Sequence, residues 1–191
     1  MERKFIEFIS SFTTLSKEEE ELMLESYPIK KFKKGETILN EGVLTNDTFL
    51  ILEGCIRKHR VLDGVDKTTD FYMEGEAVAE FASLSMNKPT LNSYSCTENT
   101  IVVIVNSEKE KKFYQKFPRF EEITRLETEK ILGNNQEQMS NFITQSPEER
   151  YQELLTTKPE LLQRAPQHQI ASYLGITPES LSRIRKRLVK K

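Results

Sequence analysis

Glu179 and Arg183 stand four residues apart in the segment QHQIASYLGITPESLSRIRK, residues 167–186. That spacing puts them on one face of a helix. An Arg near the start of a helix in the DNA major groove bonds O6 and N7 of guanine as a bidentate pair, and a Glu there accepts from the N4 amine of cytosine. Ser180 and Ser182 lie beside them, with Lys186 and Arg187 one turn later. Thr177 and the open N–H groups at the start of that helix suit a phosphate. His168, near the start of the preceding helix, is a further phosphate candidate.

The residues that must position this face are equally legible. Pro166 suits a helix start, and Ile170, Ala171 and Leu174 fall on the inner side of the turns that follow. Gly175 breaks that helix and permits positive φ, Ile176 plugs the turn, Thr177 caps the next helix and Pro178 takes its first position. Leu181, Ile184 and Leu188, three and four apart, make the inner stripe of the second helix. This is the pattern of a helix-turn-helix. The plainer alternative is a helical hairpin with a charged outer face.

Charge favours the first reading. The whole chain of 191 residues carries a formal charge of -2. Residues 164–191 hold Arg164, Arg183, Arg185, Lys186, Arg187, Lys190 and Lys191 against one acid, Glu179, so the tail is +6 and the rest -8. A basic end on an acidic body points to a polyanionic partner, the plainer alternative being a solubilising charge run; together with the turn pattern it points to double-stranded DNA.

Upstream, the texture changes twice. Residues 3–26 read as helical, with Phe5, Ile6, Phe8, Ile9 and Phe12 clustered. Ser16 and Glu19 form a capping box that opens a second helix, and Pro28 stops it. Short β-rich segments follow at 29–32, 37–39, 48–52, 56–61, 68–72, 91–96 and 101–105, separated by Gly35, Gly42, Gly54, Asp63-Gly64 and Gly75. Such spacing predicts a small antiparallel barrel or roll, with Asp63-Gly64 as a tight hairpin. Phe113, Phe117, Phe120, Ile123 and Leu126 then recur at threes and fours, predicting one long helix over 118–143, about 39 Å in length. Gly133-Asn134-Asn135 weakens it, and its apolar stripe calls for a partner, either the roll or a second copy of the chain. Ser146-Pro147-Glu148-Glu149 opens another helix that runs to about Thr156.

Several classes are excluded or disfavoured. The longest aliphatic run, 101–105, is far short of the roughly 20 residues needed to span a bilayer. The N-terminus lacks the apolar core of a signal peptide, so a cytoplasmic protein with no membrane partner is expected. Cys55 and Cys96 are too few for a disulfide framework or a four-cysteine metal site and read as small core residues. His59 and His168 have no ligand partners at metal spacing, so no metal is expected. Phe71, Tyr72, Phe81 and Tyr94 read as core, one or two lining a cavity of the roll. No hydrolase, Walker, zinc-protease or kinase signature occurs, so no enzyme is expected.

Taken with SPEERYQELLTTKPELLQRAPQHQIASYLGITPESLSRIRK, Gly35, Gly42, Gly54 and the stretch 75–81 (GEAVAEF), the chain resembles the Crp/Fnr family of bacterial transcription regulators over nearly its whole length, in a form common in Bacteroidetes. The resemblance implies an α+β fold. An N-terminal antiparallel β-roll (a double-stranded β-helix of cyclic-nucleotide-binding type) occupies 1–116, a long dimerisation helix 117–145 and an all-α helix-turn-helix domain 146–191. It also implies a homodimer on a pseudo-palindromic operator, bases read by Glu179 and Arg183, and RNA polymerase as a further candidate partner.

Two departures matter. Where cyclic-AMP-binding members carry an Arg-Ser pair on the cyclic phosphate, this chain has Thr90 and Leu91, with Lys88 two residues away. Glu80 matches the ribose-hydroxyl acceptor, so Glu80, Phe81, Thr90 and Leu91 outline the effector pocket, but a phosphate without its clamp is costly to bury. Cyclic AMP is therefore not expected as a cofactor, and any effector stays unidentified. The segment between Thr157 and Pro166 leaves little room for the β-hairpin wing of many members, so the DNA-binding unit reads as trihelical. Two other readings stay open: a ligand-sensing roll whose helix-turn-helix contacts protein, and a constitutive regulator with an empty roll. The first should lack the steep salt dependence of DNA binding.

Overall fold

The computed structural model describes residues 1–189, Val189 by its backbone alone. The last two basic residues of the tail, Lys190 and Lys191, lie outside the described residues. Element order is α1 (Glu2–Ser10), α2 (Lys17–Ser26), β1 (Ile29–Phe32), β2 (Thr37–Leu39), β3 (Asp47–Glu53), β4 (Ile56–Leu62), β5 (Val65–Tyr72), β6 (Ala77–Val78), α3 (Phe81–Met86), β7 (Ser93–Cys96) and β8 (Thr100–Asn106). Then come α4 (Ser107–Lys116), α5 (Arg119–Thr144), α6 (Pro147–Thr157), α7 (Leu161–Arg164), α8 (Gln167–Tyr173) and α9 (Pro178–Val189). The chain divides into two units, one of residues 1–60 and 70–123, the other of 61–69 and 124 onward.

The strands form an antiparallel roll of two four-stranded sheets, β1-β8-β3-β6 and β2-β7-β4-β5, most of it in the first unit, with residues 61–69 of the β4–β5 hairpin in the second. Period-two side-chain alternation explains how β3 serves two cores at once. Phe49 and Ile51 point into a cluster with Leu39, Ile56, Val78, Tyr94, Cys96 and Val102. Leu50 and Leu52 point the other way, into a cluster with Phe5, Met23, Tyr27, Val103, Phe113 and Phe120. Residues 102 and 103 of β8 split between the two faces in the same manner. The predicted strands are all present. Asp63 and Gly64 both take positive φ, 51° and 76°, between β4 and β5, as a tight hairpin demands.

Four elements escape the reading of the sequence: β6, α3, α4 and α7. Each is short or lacks periodicity of its own. The Asn106 side chain, which accepts from the Glu108 N–H at 3.2 Å, opens α4. Phe113 belongs to α4 rather than to the long helix, and Phe113, Phe117, Phe120 and Ile123 all pack into the core of the first unit. The front of the phenylalanine stripe is thus covered by the roll. The long helix itself runs unbroken through Gly133-Asn134-Asn135. Phe81, expected in the core, is 46% exposed, because α3 begins there and turns its first side chain outward.

Glu19 closes the Ser16 capping box and also receives Arg119 from the start of α5, at 3.1 and 2.7 Å. Arg119 donates as well to Thr13 Oγ1 and the Thr14 carbonyl. Burial pushes the Glu19 carboxyl up, but the Ser16 backbone N–H, Arg119 and the Ser16 hydroxyl together hold it below the ordinary carboxylate value. Arg119→Ala is expected to cost about 1–3 kcal/mol at neutral pH, less than a fully buried pair because Arg119 is 44% exposed. A folded-state pKa below the unfolded one makes this contribution present above the unfolded carboxylate value and lost as pH falls through the folded one. Urea unfolding of both proteins at pH 7 and pH 3 checks it: the gap should narrow at low pH, the part that rests on the bonds to Thr13 and Thr14 remaining.

Candidate nucleic-acid interface

The second unit is built from local signals that each satisfy backbone groups. Ser146 and Glu149 form a reciprocal capping box at the start of α6, with Pro147 as first residue. After α8, the Ile176 N–H bonds the Ala171 carbonyl at 2.9 Å and the Gly175 N–H bonds the Ser172 carbonyl at 3.0 Å. This is the paired pattern of a Schellman cap, and it requires the φ of +71° that Gly175 adopts. Thr177 Oγ1 then accepts from the Ser180 N–H at 3.3 Å, capping α9. Ile170, Ala171 and Leu174 of the first helix and its cap, with Leu181 and Ile184 of α9, are buried. Hence α9 is held by one side only.

The other side of α9 is open. At about 100° per residue, Glu179, Arg183 and Lys186 lie within an arc of about 60°, opposite Leu181, Ile184 and Leu188. All three are exposed, as are Thr177 and His168. The Glu179 carboxyl is held below its ordinary value by its own backbone N–H and the Thr177 hydroxyl, with Arg183 adding to them, so it is ionised at neutral pH. Arg183 Nη2 donates to Ser180 Oγ at 3.1 Å, which orients the guanidinium along the outer face. Ser180, half-buried, thus acts as cap partner and orienter. Arg187 is engaged elsewhere: its guanidinium pairs with Glu148 of α6. The site residues expected on α9 share one element, and His168 sits apart on α8.

The four pocket residues read from the sequence do not share one environment. Glu80 and Thr90 are buried, whereas Phe81 and Leu91 are exposed. The Thr90 hydroxyl donates to the Asn92 carbonyl at 3.2 Å and accepts from the Asn92 N–H at 3.0 Å. Glu80 accepts a hydrogen bond from the Tyr94 hydroxyl, and Lys58 Nζ lies 3.5 Å from the same oxygen, Oε1. Burial and the bond to Glu80 push the Tyr94 hydroxyl far above the ordinary tyrosine value, so it keeps its proton and donates. Sequence reasoning missed Lys58 and the polar role of Tyr94. Strand register sets the two directly opposite on β4 and β7, and Lys58 Nζ lies 5.7 Å from the centroid of the Tyr94 ring.

Among the described residues, no helix is long and apolar enough to cross a membrane, and no group of three or more His, Cys, Asp or Glu is placed to hold a metal ion. Residues 29–117 match the family described as cyclic nucleotide-binding domain. No curated protein matches the sequence at a significant level. Solved structures do resemble it. FixK2 from Bradyrhizobium japonicum gives a TM-score of 0.70 at 18% identity, covering 86% of this chain and 85% of that one. CLP of Xanthomonas campestris, a c-di-GMP responsive global regulator that links cell-cell signaling to virulence gene expression, gives 0.69 at 14% identity, covering 92% of each chain. The catabolite activator protein of Thermus thermophilus gives 0.53 at 22% identity, covering 94% and 86%. At these identities the likeness is one of fold.

Proposed function

We propose that the chain is a homodimeric, sequence-specific DNA-binding transcription regulator of the Crp/Fnr type, divided into a sensor roll (1–116), a connecting helix (117–145) and a helix-turn-helix domain (146–191). The observation that carries this reading is the outward face of α9, where ionised Glu179, Arg183 and Lys186 stand clear of a helix pinned by Leu181 and Ile184. Fold likeness to a catabolite activator protein and to a global regulator of gene expression supports it. Dimerisation is assigned to α5, which leaves Leu132, Met139 and Ile143 exposed at spacings of seven and four. Two copies would present their α9 helices to successive major grooves about 34–36 Å apart. RNA polymerase is a candidate partner of the DNA-bound dimer.

The test is a titration of duplexes selected from random sequence, repeated at several salt concentrations. Expected are two chains per bound duplex and an affinity that falls steeply with salt, as counterion release requires. Monomeric binding, or affinity flat in salt, overturns the reading and favours a protein-docking role for α9.

The roll of this regulator does not take cyclic AMP. Its ribose acceptor, Glu80, already receives the Tyr94 hydroxyl, and the Thr90 hydroxyl is engaged with Asn92. A cyclic phosphate would enter without a cationic fork to offset its desolvation. Calorimetric titration with cyclic AMP should give no isotherm; a saturable one would refute this assignment.

A further inference from the structure

The geometry points to Arg150 as a positioning residue that locks the end of the long helix to the turn before α9. Arg150 stands in the first turns of α6, and its guanidinium reaches two other helix ends. Nη1 donates to the Gln145 carbonyl at 2.6 Å and to the Phe142 carbonyl at 3.2 Å, both at the C-terminal end of α5. Nη2 and Nε donate to the Leu174 carbonyl, the C-cap of α8, at 2.9 and 3.3 Å. The Phe142 ring lies under the guanidinium, 4.7 Å from its central carbon to the ring centroid. The same ring edge stands 3.2 Å from where a Cβ on Gly175 would be.

Three physical consequences follow from that placement. The final carbonyls of a helix have no partner within it and carry its negative end, so a cation there is favourable. Neither α5 nor α8 has a basic residue in its own last turn, and Arg150 supplies the charge to both. The guanidinium is planar and rigid, so carbonyls sharing it from two helices are fixed in mutual orientation, which a lysine ammonium does not achieve. Because α8 crosses α9 through Ala171, Leu174 and Leu181, all buried, the orientation passes on to α9. Its functional meaning rests on α9 being the DNA-facing helix: a dimer reading two half-sites needs each recognition helix held at a set angle to the long helix.

The chain of residues 1–191 tests this with nitroxides at Gln138→Cys on α5 and Arg185→Cys on α9, both exposed positions. Cys55 and Cys96 are buried, which shields them from the label. Labelled chain is diluted into excess unlabelled chain, so each distance is measured within one protomer. Arg150 should give a narrow distance distribution, and Arg150→Lys one about twice as wide, although the charge is kept. Phe142→Leu, which removes the stacked ring and leaves every carbonyl in place, should broaden it to a lesser extent. Affinity of Arg150→Lys for a selected duplex should fall about tenfold, the equivalent of one charge-assisted hydrogen bond. An unchanged width in folded Arg150→Lys, with only a lower melting temperature, would mean plain structural support and would overturn the assignment. A broadened distribution with unaltered DNA affinity would uphold the clamp and count against α9 as the DNA-facing helix.

Discussion

Gly175→Val is expected to destabilise the second unit by about 2–5 kcal/mol, combining the left-handed backbone with overpacking. Gly175 holds φ at +71°, a region a β-branched residue avoids, so roughly 1–2 kcal/mol arises from the backbone alone. The new Cβ would meet Phe142 Cζ at 3.2 Å and Cε2 at 3.6 Å, so that ring, stacked on the Arg150 guanidinium, must give by a few tenths of an ångström, and the further methyls of valine add to the crowding. The Schellman bonds from Ile176 and Gly175 would open, and the register of α9 against α8 would be lost with them. Hydrogen exchange resolves this by region. Protection should drop in α8 and α9 while β3 and β8, which belong to the first unit, keep theirs. Equal protection in both proteins would refute the expectation. Gly175→Ala should show the backbone part and a smaller steric one.

Arg183→Ala is expected to weaken binding to the selected duplex by about 1–3 kcal/mol, roughly fivefold to 150-fold, and to relax base preference at one position of each half-site. Its guanidinium is exposed and steadied by Ser180 Oγ, so the substitution removes a poised donor pair without opening the core. Lys186→Ala is the contrasting case. A phosphate contact should weaken all sequences alike and lower the salt slope by about one. Binding measured on the selected duplex and on single-base variants of it separates the two. If Arg183→Ala left both affinity and base preference unchanged, Glu179 and Arg183 would lose their assigned role.

Elements written in short-range chemistry are legible in the residues themselves. The capping boxes at Ser16 and Ser146, the Asp63-Gly64 hairpin, the left-handed Gly175 and the Thr177 cap each involve partners within about five residues, and all are present. The outward face of α9 is legible for the same reason, since helical periodicity assigns sides without knowing neighbours. The short β6 and α3 are not, because two or six residues carry no period to read. Phe81 is misplaced by its type: an aromatic suggests burial, but the path of the chain into α3 decides otherwise.

By itself, then, the order of residues determined where most helices and strands begin and stop, which way α9 turns its charges, and that the tail is cationic. Tertiary structure alone decided which partner covers Phe113, Phe117 and Phe120, what Glu80 bonds to, and that Arg150 reaches two helix ends at once. The division has a physical cause. Caps, turns and periodic faces are made by atoms a few bonds or one turn apart, whereas Lys58 meets Tyr94, and Arg119 meets Glu19, only after strands pair and helices pack. Long-range contacts of this kind depend on register and crossing geometry, which no local window of sequence contains.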